Sequence, residues 1–196
     1  RDRAEAGAAL GRMGDPRPGV GLNAETGLPD IAWCDVEPAP FIMGWNENEG
    51  GLAQFGPQFT CRLVKEPYRI SRYAVTVAQY GAFVAAGGYR EERFWTEAGW
   101  AWRQAEDIRG PENFESIYQT PNHPQVGVSW YEAVAYCNWL SEALGETIQL
   151  PSEAQWALAA RHTDGRAYPW GEEFDAERCN MGPVSYTHLR AHETRF

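Results

Sequence analysis

The sequence contains few cysteines, and they do not form the patterns that metal or disulfide scaffolds require. Its four cysteines are far apart and include no CxxC pair: Cys34, Cys61, Cys137 and Cys179. This spacing predicts neither a zinc site nor a disulfide framework. We expect free, mostly buried thiols, which fits a reducing bacterial cytoplasm.

Long apolar runs and an excess of basic charge are also lacking. No stretch of about 18 apolar residues occurs, so we expect no membrane partner. Because 27 acidic residues outnumber 17 basic ones, for a net charge of -10, a cationic face for nucleic acid is not expected. The 43% of hydrophobic and 13% of aromatic residues predict a folded domain. The 20 glycines and 13 prolines favour many turns over a helical bundle.

The first 29 residues are expected to come from an upstream region. The chain begins with Arg1 rather than Met, and residues 1–13 (RDRAEAGAALGRM) are rich in alanine and free of proline. This composition predicts a helix entering from upstream. The Pro/Gly-rich stretch that follows, up to Pro29, predicts a linker, so a new domain is expected from residue 30.

Short strands and three capped helices are predicted within that domain. Alternating or short apolar runs predict strands at residues 31–36, 41–44, 59–64 and 68–73. Capping-box pairs predict helices at residues 77–86, Trp130–Leu144 and Glu153–Arg161; the pairs are Thr76 with Gln79, Ser129 with Glu132, and Ser152 with Gln155. The apolar faces expected for these helices comprise Val77, Tyr80, Phe83 and Val84, then Trp130, Val134, Cys137 and Leu140, then Trp156 and Ala160.

The stretch 89–125 is rich in aromatic residues but poor in periodicity. We expect it to be irregular and to be held in place by aromatic side chains. The candidates are Phe94, Trp95, Trp100, Trp102, Phe114 and Tyr118.

A series of motifs resembles one known family. They are Phe41-x-Met43-Gly44, Tyr73-x-Val75-Thr76-x-x-x-Tyr80, His123-Pro124-x-Val126-x-Val128-Ser129-Trp130, Ala133-x-x-Tyr136-Cys137-x-Trp139-Leu140, Leu150-Pro151-Ser152-Glu153-Ala154-Gln155-Trp156, Ala159-Ala160-Arg161, Tyr168-Pro169-Trp170-Gly171 and Cys179-Asn180. In this order they resemble the formylglycine-generating enzyme (sulfatase-modifying factor) family over about residues 31–182.

The resemblance implies a fold, an activity and two metals. The fold is α+β and C-type-lectin-like, with little regular secondary structure. The activity is oxidation of a cysteine in a sulfatase-type protein or peptide to formylglycine, with copper held by two cysteines and with molecular oxygen. A calcium site is also implied, to which this chain would contribute the Asn180 side chain and the Met181 carbonyl. Because calcium takes six or more oxygens, these two residues form only part of a site.

Other features of the sequence depart from the family pattern. Where the family often reads Arg-Leu-Pro-Thr-Glu-Ala-Glu-Trp-Glu, this chain has Gln149, Ser152, Gln155 and Ala157. The family's active cysteines follow an Arg-Gly-Gly-Ser-Trp-like motif that is absent here, and neither Cys137 nor Cys179 matches them. We therefore expect a domain that is incomplete at the C-terminus, with no catalytic residue and no copper ligand in this chain, and hence inactive.

Several motif residues that could suggest a functional site are better explained by structural roles. Trp130, Trp139, Trp156 and Trp170 are expected in the core, because tryptophan buries a large area. Glu153 fits a first-turn acid favoured by the helix dipole. His123 is expected to be structural or solvated.

The last residues are expected to be foreign to the protein. Residues 184–194 (VSYTHLRAHET) read like a translated sequencing adapter. The pair His188 and His192 has the spacing of helical metal ligands, but we reject it as a site for this reason. The predicted organisation is thus 1–29 upstream helix and linker, 30–183 family domain, and 184–196 non-native tail.

Three functions compete. The first is a copper-dependent formylglycine-generating oxidase. The second is a non-catalytic C-type-lectin-like binding module of a bacterial multidomain protein. The third is a non-haem-iron sulfoxide synthase of the ergothioneine type, which Gly87-Gly88-Tyr89, Trp95 and Gly99-Trp100-Ala101-Trp102 also resemble.

Overall fold

The computed structural model describes residues 2–44, 57–114, 118–175 and 178. Its described part combines helices with a few short strands, as predicted for a mixed α and β chain. The chain divides into two compact units. Unit 1 comprises Arg1–Cys34 and Ser71–Leu150, and unit 2 comprises Asp35–Ile70 and Pro151–Phe196.

The secondary structure follows the predicted order with two additions, a third helix and a 3-10 turn. The helices are α1 (Asp2–Met13), α2 (Val77–Ala85), α3 (Glu97–Ala105), α4 (Trp130–Leu144) and α5 (Glu153–Arg161), with a 3-10 turn at Glu92–Phe94. The strands are β1 (Trp33–Val36), β2 (Phe41–Met43), β3 (Phe59–Cys61) and β4 (Tyr68–Ser71). β1 pairs with β4, and β2 pairs antiparallel with β3, where Phe41 lies opposite Cys61.

The predicted capping boxes open α2, α4 and α5. Each cap hydroxyl, from Thr76, Ser129 or Ser152, accepts a hydrogen bond from the backbone amide three residues later at 3.3 Å. In turn, the side chain three residues after each cap (Gln79, Glu132 or Gln155) accepts a hydrogen bond from the backbone amide of the cap residue. These bonds satisfy amides that the first helical turn leaves without partners, so the helices start where the sequence predicts.

The core of unit 1 is an aromatic cluster between α2, α4 and the segment after α2. Phe83 is completely buried, and its ring contacts those of Tyr80, Tyr89, Phe94, Tyr136 and Trp139. Trp100 and Trp102 pack against the same cluster. Burial of this much aromatic surface explains how a segment of short elements is held in place.

Helix α3 lies within the stretch predicted to be irregular, so that prediction was wrong there. The Thr96 hydroxyl caps α3 by accepting from the Gly99 amide at 3.1 Å. The helix has nine residues, and Trp100 and Trp102, two positions apart, do not give a helical period. Phe94 and Trp95 are buried as expected, whereas Phe114 and Tyr118 are 44% and 38% exposed.

The segment before residue 30 is packed within unit 1. The Thr76 hydroxyl donates to the Val20 carbonyl at 2.9 Å, and Gln79 Nε2 donates to the carbonyls of Gly19 and Asp30 at 3.2 and 2.6 Å. Val20 is buried. The stretch predicted as a linker is therefore anchored on the first turn of α2.

The core of unit 2 is smaller and contains one aromatic residue, Phe41. Phe41 and Met43 from β2 and Cys61 from β3 pack with the α5 residues Ala154, Ala157 and Leu158. None of the helices in the described residues is long and apolar enough to cross a membrane.

Candidate functional site

The cysteines that the structure describes lie in three different environments. Cys137 is buried on α4 in the aromatic cluster of unit 1, and burial raises the pKa of its thiol to about 11. Cys61 is buried on β3 in unit 2. Cys34 is half-buried on β1, where its sulfur hydrogen-bonds the Arg72 side chain, an interaction that raises the pKa of the guanidinium. All three thiols are free. The neutral, buried state of Cys137 is unsuited to metal or nucleophilic chemistry, which needs a thiolate.

A buried carboxylate forms the most polar point of the unit 1 core. Glu132 lies in the first turn of α4, where Oε2 accepts from the Ser129 amide at 2.7 Å. Its other oxygen, Oε1, accepts from the Tyr89 hydroxyl at 2.6 Å. The Tyr89 hydroxyl lies 2.9 Å from that of Tyr80. Since Tyr89 donates to Glu132, Tyr80 donates to Tyr89, and the three side chains form a directed chain of hydrogen bonds.

The environment of this chain holds the phenols neutral. Burial is the main cause that raises the pKa values of Tyr80 and Tyr89 well above the ordinary tyrosine value. Tyr136, stacked on Tyr80 with ring centroids 5.3 Å apart, is also buried, and its hydroxyl has no hydrogen-bond partner among the described residues. The capping-box pattern explains Glu132 only as part of a cap; its position one helical turn before Tyr136, on the same face of α4, is the sequence signal for its burial.

In unit 2 an arginine joins two of the family-like motifs. Arg161 ends α5 and is 1% exposed. Its guanidinium donates to the carbonyls of Arg166 and Gly44 at 2.8 and 2.9 Å and also to that of Gly165. Arg161 therefore acts as a structural clamp that fixes three backbone carbonyls.

The tryptophans of the motifs do not all lie in the core, contrary to prediction. Trp139 is buried, but Trp130 is 49% exposed and Trp156 is 44% exposed. Trp170 is half-buried and stacks on Tyr168, with ring centroids 5.3 Å apart. Trp130 and Trp156 sit in the first turns of their helices, on faces turned away from the clusters that α4 and α5 help to form.

The two residues with simple interpretations behave largely as expected. Glu153 is exposed in the first turn of α5. His123 is half-buried, and its Nδ1 lies 2.8 Å from the Pro124 carbonyl, while its own carbonyl accepts from the Val77 amide. Neither residue belongs to a group of potential metal ligands.

The described residues hold no cluster of three or more His, Cys, Asp or Glu side chains that could bind a metal ion. An open surface depression of about 220 Å³ in unit 2 is lined by Asp35, Val36, Glu37, Pro67, Tyr68 and Arg69. Its lining has two acidic residues, one arginine and no thiol. The predicted calcium ligands Asn180 and Met181, and also Cys179, His188 and His192, lie outside the described residues.

A comparison with known protein families shows to which family the chain belongs. The model of the sulfatase-modifying factor enzyme 1-like domain matches residues 30–195, which is most of the sequence. The chain belongs to this family.

The start of the family match coincides with the domain start predicted at residue 30. Its end at residue 195 lies beyond residue 183, so the matched range includes most of the stretch predicted to be a non-native tail. That stretch is outside the described residues, and its origin stays a prediction.

Individual relatives in this family carry different names. A hercynine oxygenase of Mycolicibacterium thermoresistibile is 31% identical over 176 residues, covering 82% of this chain and 38% of the relative. A formylglycine-generating enzyme of Thermomonospora curvata is 38% identical over 159 residues, covering 64% of this chain and 48% of the relative. An inactive Cα-formylglycine-generating enzyme 2 of Mus musculus is 28% identical over 182 residues, covering 78% of this chain and 54% of the relative. The chain thus spans about half, or less, of the length of these relatives.

Family membership gives the motif residues a common interpretation. Within the described residues of this sulfatase-modifying-factor domain, the motifs supply helix caps, core aromatics and the Arg161 clamp. They do not bring reactive groups together at one point.

Proposed function

We propose that this chain supplies the scaffold of a formylglycine-generating oxidase that acts on a cysteine in a sulfatase-type protein or peptide. Membership of the sulfatase-modifying-factor family supports the proposal, as does 38% identity to a relative named formylglycine-generating enzyme. The observation that carries the scaffold role is the environment of the thiols. Cys137 and Cys61 lie in two apolar cores, one in each unit, and serve packing.

The copper implied by this function does not fit the described donors. Two thiolates must converge on one metal. Among the described cysteines, Cys137 and Cys61 pack in the apolar cores of the two units, and Cys34 lies on β1. We therefore assign no copper ligand within the described residues and derive no step through copper.

Calcium, the detailed topology and the location belong to the same proposal. An amide oxygen from Asn180 and the carbonyl of Met181 are suitable hard ligands for calcium, but a site needs several further oxygens. The topology proposed is C-type-lectin-like, and the proposed location is the bacterial cytoplasm.

A hercynine oxygenase is the second candidate. It is favoured by the match to the Mycolicibacterium thermoresistibile relative, which covers 82% of this chain. Of the residues that resemble this branch, Tyr89 and Trp95 belong to the unit 1 core, and Trp100 and Trp102 pack against it. Trp95 Nε1 donates to the Gly88 carbonyl at 2.8 Å. Gly88 lies so close to the Phe83 ring that a Cβ atom would clash with it. The residues shared with that branch therefore have packing roles in this chain, and none of them is assigned a role in a reaction.

The test compares two substrates with one protein. The protein that carries this chain, expressed at the length its gene encodes, is incubated aerobically with Cu(I) and a cysteine-containing sulfatase peptide, or with Fe(II), hercynine and a small thiol as the sulfur donor. Mass spectrometry follows both substrates.

The outcomes separate the candidates. Conversion of the peptide cysteine to an aldehyde, with hercynine unchanged, supports the oxidase. Consumption of hercynine alone replaces that function by the second candidate. If a folded protein transforms neither substrate but binds a partner, the non-catalytic binding module, listed second among the functions expected from the sequence, takes its place.

A further inference from the structure

The directed hydrogen-bond chain in the unit 1 core has a feature that simple packing does not require. A phenol buried among aromatic rings donates its proton to a carboxylate that is itself buried: Tyr89 is 3% exposed and Glu132 is 3% exposed. One Glu132 oxygen accepts from the Tyr89 hydroxyl and the other from the Ser129 amide, so the carboxyl group is held in place to take up the phenolic proton. Such a pair, at 2.6 Å, is a short charge-assisted bond.

A line of aromatic contacts connects this pair to the edge of the cluster. The Tyr89 ring contacts the Trp95 ring with centroids 5.5 Å apart, and Trp95 contacts Trp100 with centroids 6.3 Å apart. Trp95 is buried, whereas Trp100 is only partly buried. The three rings thus form a route from a partly exposed indole to a buried phenol.

Charges at the two ends of this route differ in sign. The Arg103 guanidinium lies 5.0 Å from the centre of the Trp100 ring. A cation beside an indole disfavours a second positive charge on that ring, while the Glu132 carboxylate at the inner end favours one. If Trp100 loses an electron, these charges therefore favour movement of the positive charge inward, towards Tyr89.

We propose that Tyr89 is a redox-active tyrosine, a sink for one-electron oxidation that is reached through Trp100 and Trp95 and uses Glu132 as its proton acceptor. In the step, Tyr89 loses one electron along the two indoles to a strong one-electron oxidant, of the class of oxygen-derived radicals or oxidised metal complexes. Its phenolic proton moves to Glu132 Oε1. The products are a neutral tyrosyl radical, a protonated Glu132 and the oxidant reduced by one electron. The proposal does not depend on the proposed function.

The neighbouring phenols explain why Tyr89 is the end point. An oxidised phenol is a strong acid and must release its proton, so a buried tyrosine without an acceptor is hard to oxidise. Tyr136 has no acceptor among the described residues, although it is equally buried and stacks on Tyr80. The Tyr80 hydroxyl, in contrast, donates towards the Tyr89 oxygen and would stabilise the radical there. Burial also keeps Tyr89 protonated until it is oxidised, since it raises the pKa of this phenol.

The test generates an oxidant in solution with the chain. A ruthenium polypyridyl complex is photo-oxidised with a sacrificial cobalt(III) acceptor, and the protein radicals are read by transient absorption and by electron paramagnetic resonance after freezing. Tyrosyl radicals at the surface decay by coupling with one another, so the persistent tyrosyl signal is the measured quantity. The variants are Tyr89→Phe, Tyr136→Phe, Glu132→Gln and Trp95→Phe, each checked for folding by its denaturant midpoint.

Tyr136→Phe is the matched control, because it removes a single buried hydroxyl from the same cluster. We expect a persistent tyrosyl signal in the wild-type chain and in Tyr136→Phe, and its loss in Tyr89→Phe. Glu132→Gln lowers its yield, and Trp95→Phe slows its appearance.

A persistent signal that is unchanged in Tyr89→Phe, or that is lost in Tyr136→Phe, overturns the proposal. An unchanged yield in Glu132→Gln removes Glu132 from the step. If Glu132→Gln does not fold, the comparison of Tyr89→Phe with Tyr136→Phe still decides the identity of the radical.

Discussion

Arg161 Nη1 donates a hydrogen bond of 2.9 Å to the carbonyl of Gly44, 117 positions earlier in the chain. The same guanidinium holds the carbonyls of Gly165 and Arg166. One side chain therefore fixes the end of β2, the end of α5 and the turn after α5. Arginine suits this role because its donors are arranged in a rigid, planar fork.

Arg161→Met is expected to lower the free energy of unfolding by about 3 kcal/mol or more, because three carbonyls lose their donor in a buried place. Chemical denaturation followed by circular dichroism measures the change. The control is Arg166→Met, which breaks only an exposed ion pair with Asp164 at 2.7 Å and leaves the Arg166 carbonyl in place. An exposed pair contributes at most about 1 kcal/mol. Equal losses for the two variants would contradict the clamp.

The caps of α4 and α5 give a second prediction. Ser129→Ala and Ser152→Ala each remove the acceptor of a first-turn amide, and each is expected to lower the free energy of unfolding by about 1 kcal/mol. Ser129→Asp and Ser152→Asp are the matched controls, since aspartate also accepts at this position. If the alanine variants keep the wild-type denaturant midpoint, the hydroxyls are not caps that matter for stability.

The ends of the helices could be predicted from the sequence, because capping residues next to each end determine them. A hydroxyl followed three positions later by Glu or Gln predicted the start of α4 and of α5. Gly145, which adopts the left-handed conformation with φ of 67°, marked the end of α4. Such signals depend on neighbouring residues alone.

The buried faces of the helices were harder to predict from the sequence, because they depend on packing partners far away in the chain. On α4 the prediction placed Trp130 inside, whereas Glu132 is buried and Trp130 is exposed. The reason is the Tyr89 hydroxyl, 43 positions earlier, which offers Glu132 a hydrogen bond inside the core. A pattern based on hydrophobicity cannot include such a pair. The short helix α3 was missed for a related reason, since tertiary contacts of its tryptophans and not a helical period hold it.

A strained residue follows the clamp. His162 terminates α5 with φ of 56° and ψ of -158°, a conformation that suits glycine. We expect His162→Gly to raise the free energy of unfolding by about 1 kcal/mol through relief of this strain. Thr163→Gly is the control: Thr163 is not among the residues with positive φ, and this variant loses the same 3.1 Å hydrogen bond between Thr163 Oγ1 and His162 Nδ1 that His162→Gly loses. Glycine at position 163 adds flexibility to the unfolded chain without relieving strain, and is expected to lower stability by about 0.5 kcal/mol. Destabilisation by His162→Gly would show that the conformation is not strained.

The thiols differ in their expected reactivity. Cys137 has a pKa raised to about 11 by burial, and Cys34 is half-buried. At pH 8 we expect iodoacetamide to modify Cys137 on the order of a hundredfold more slowly than Cys34, because only the thiolate reacts. Peptide mapping by mass spectrometry reads each site separately. In denaturant the two rates should become similar; similar rates in the folded chain would contradict the burial of Cys137.

The Cys137 thiol also predicts that the stability of the folded chain falls at alkaline pH. The pKa of Cys137 is higher in the folded chain than its ordinary value of 9.0, so folding favours the protonated form. Its contribution to stability is complete below pH 9 and is lost as the pH rises towards 11. Cys137→Ala should flatten this part of the pH profile of the denaturant midpoint.

The central claim is that the described residues form the scaffold of a sulfatase-modifying-factor domain and do not hold its reacting thiols. The most direct measurement incubates the purified 196-residue chain with Cu(I), oxygen and a cysteine-containing sulfatase peptide, and follows the peptide by mass spectrometry. We predict that the peptide mass does not change, since no aldehyde forms and no sulfur is lost. Conversion of the peptide that disappears in Cys137→Ser would contradict the account, because it would place the reacting thiol in the core of unit 1.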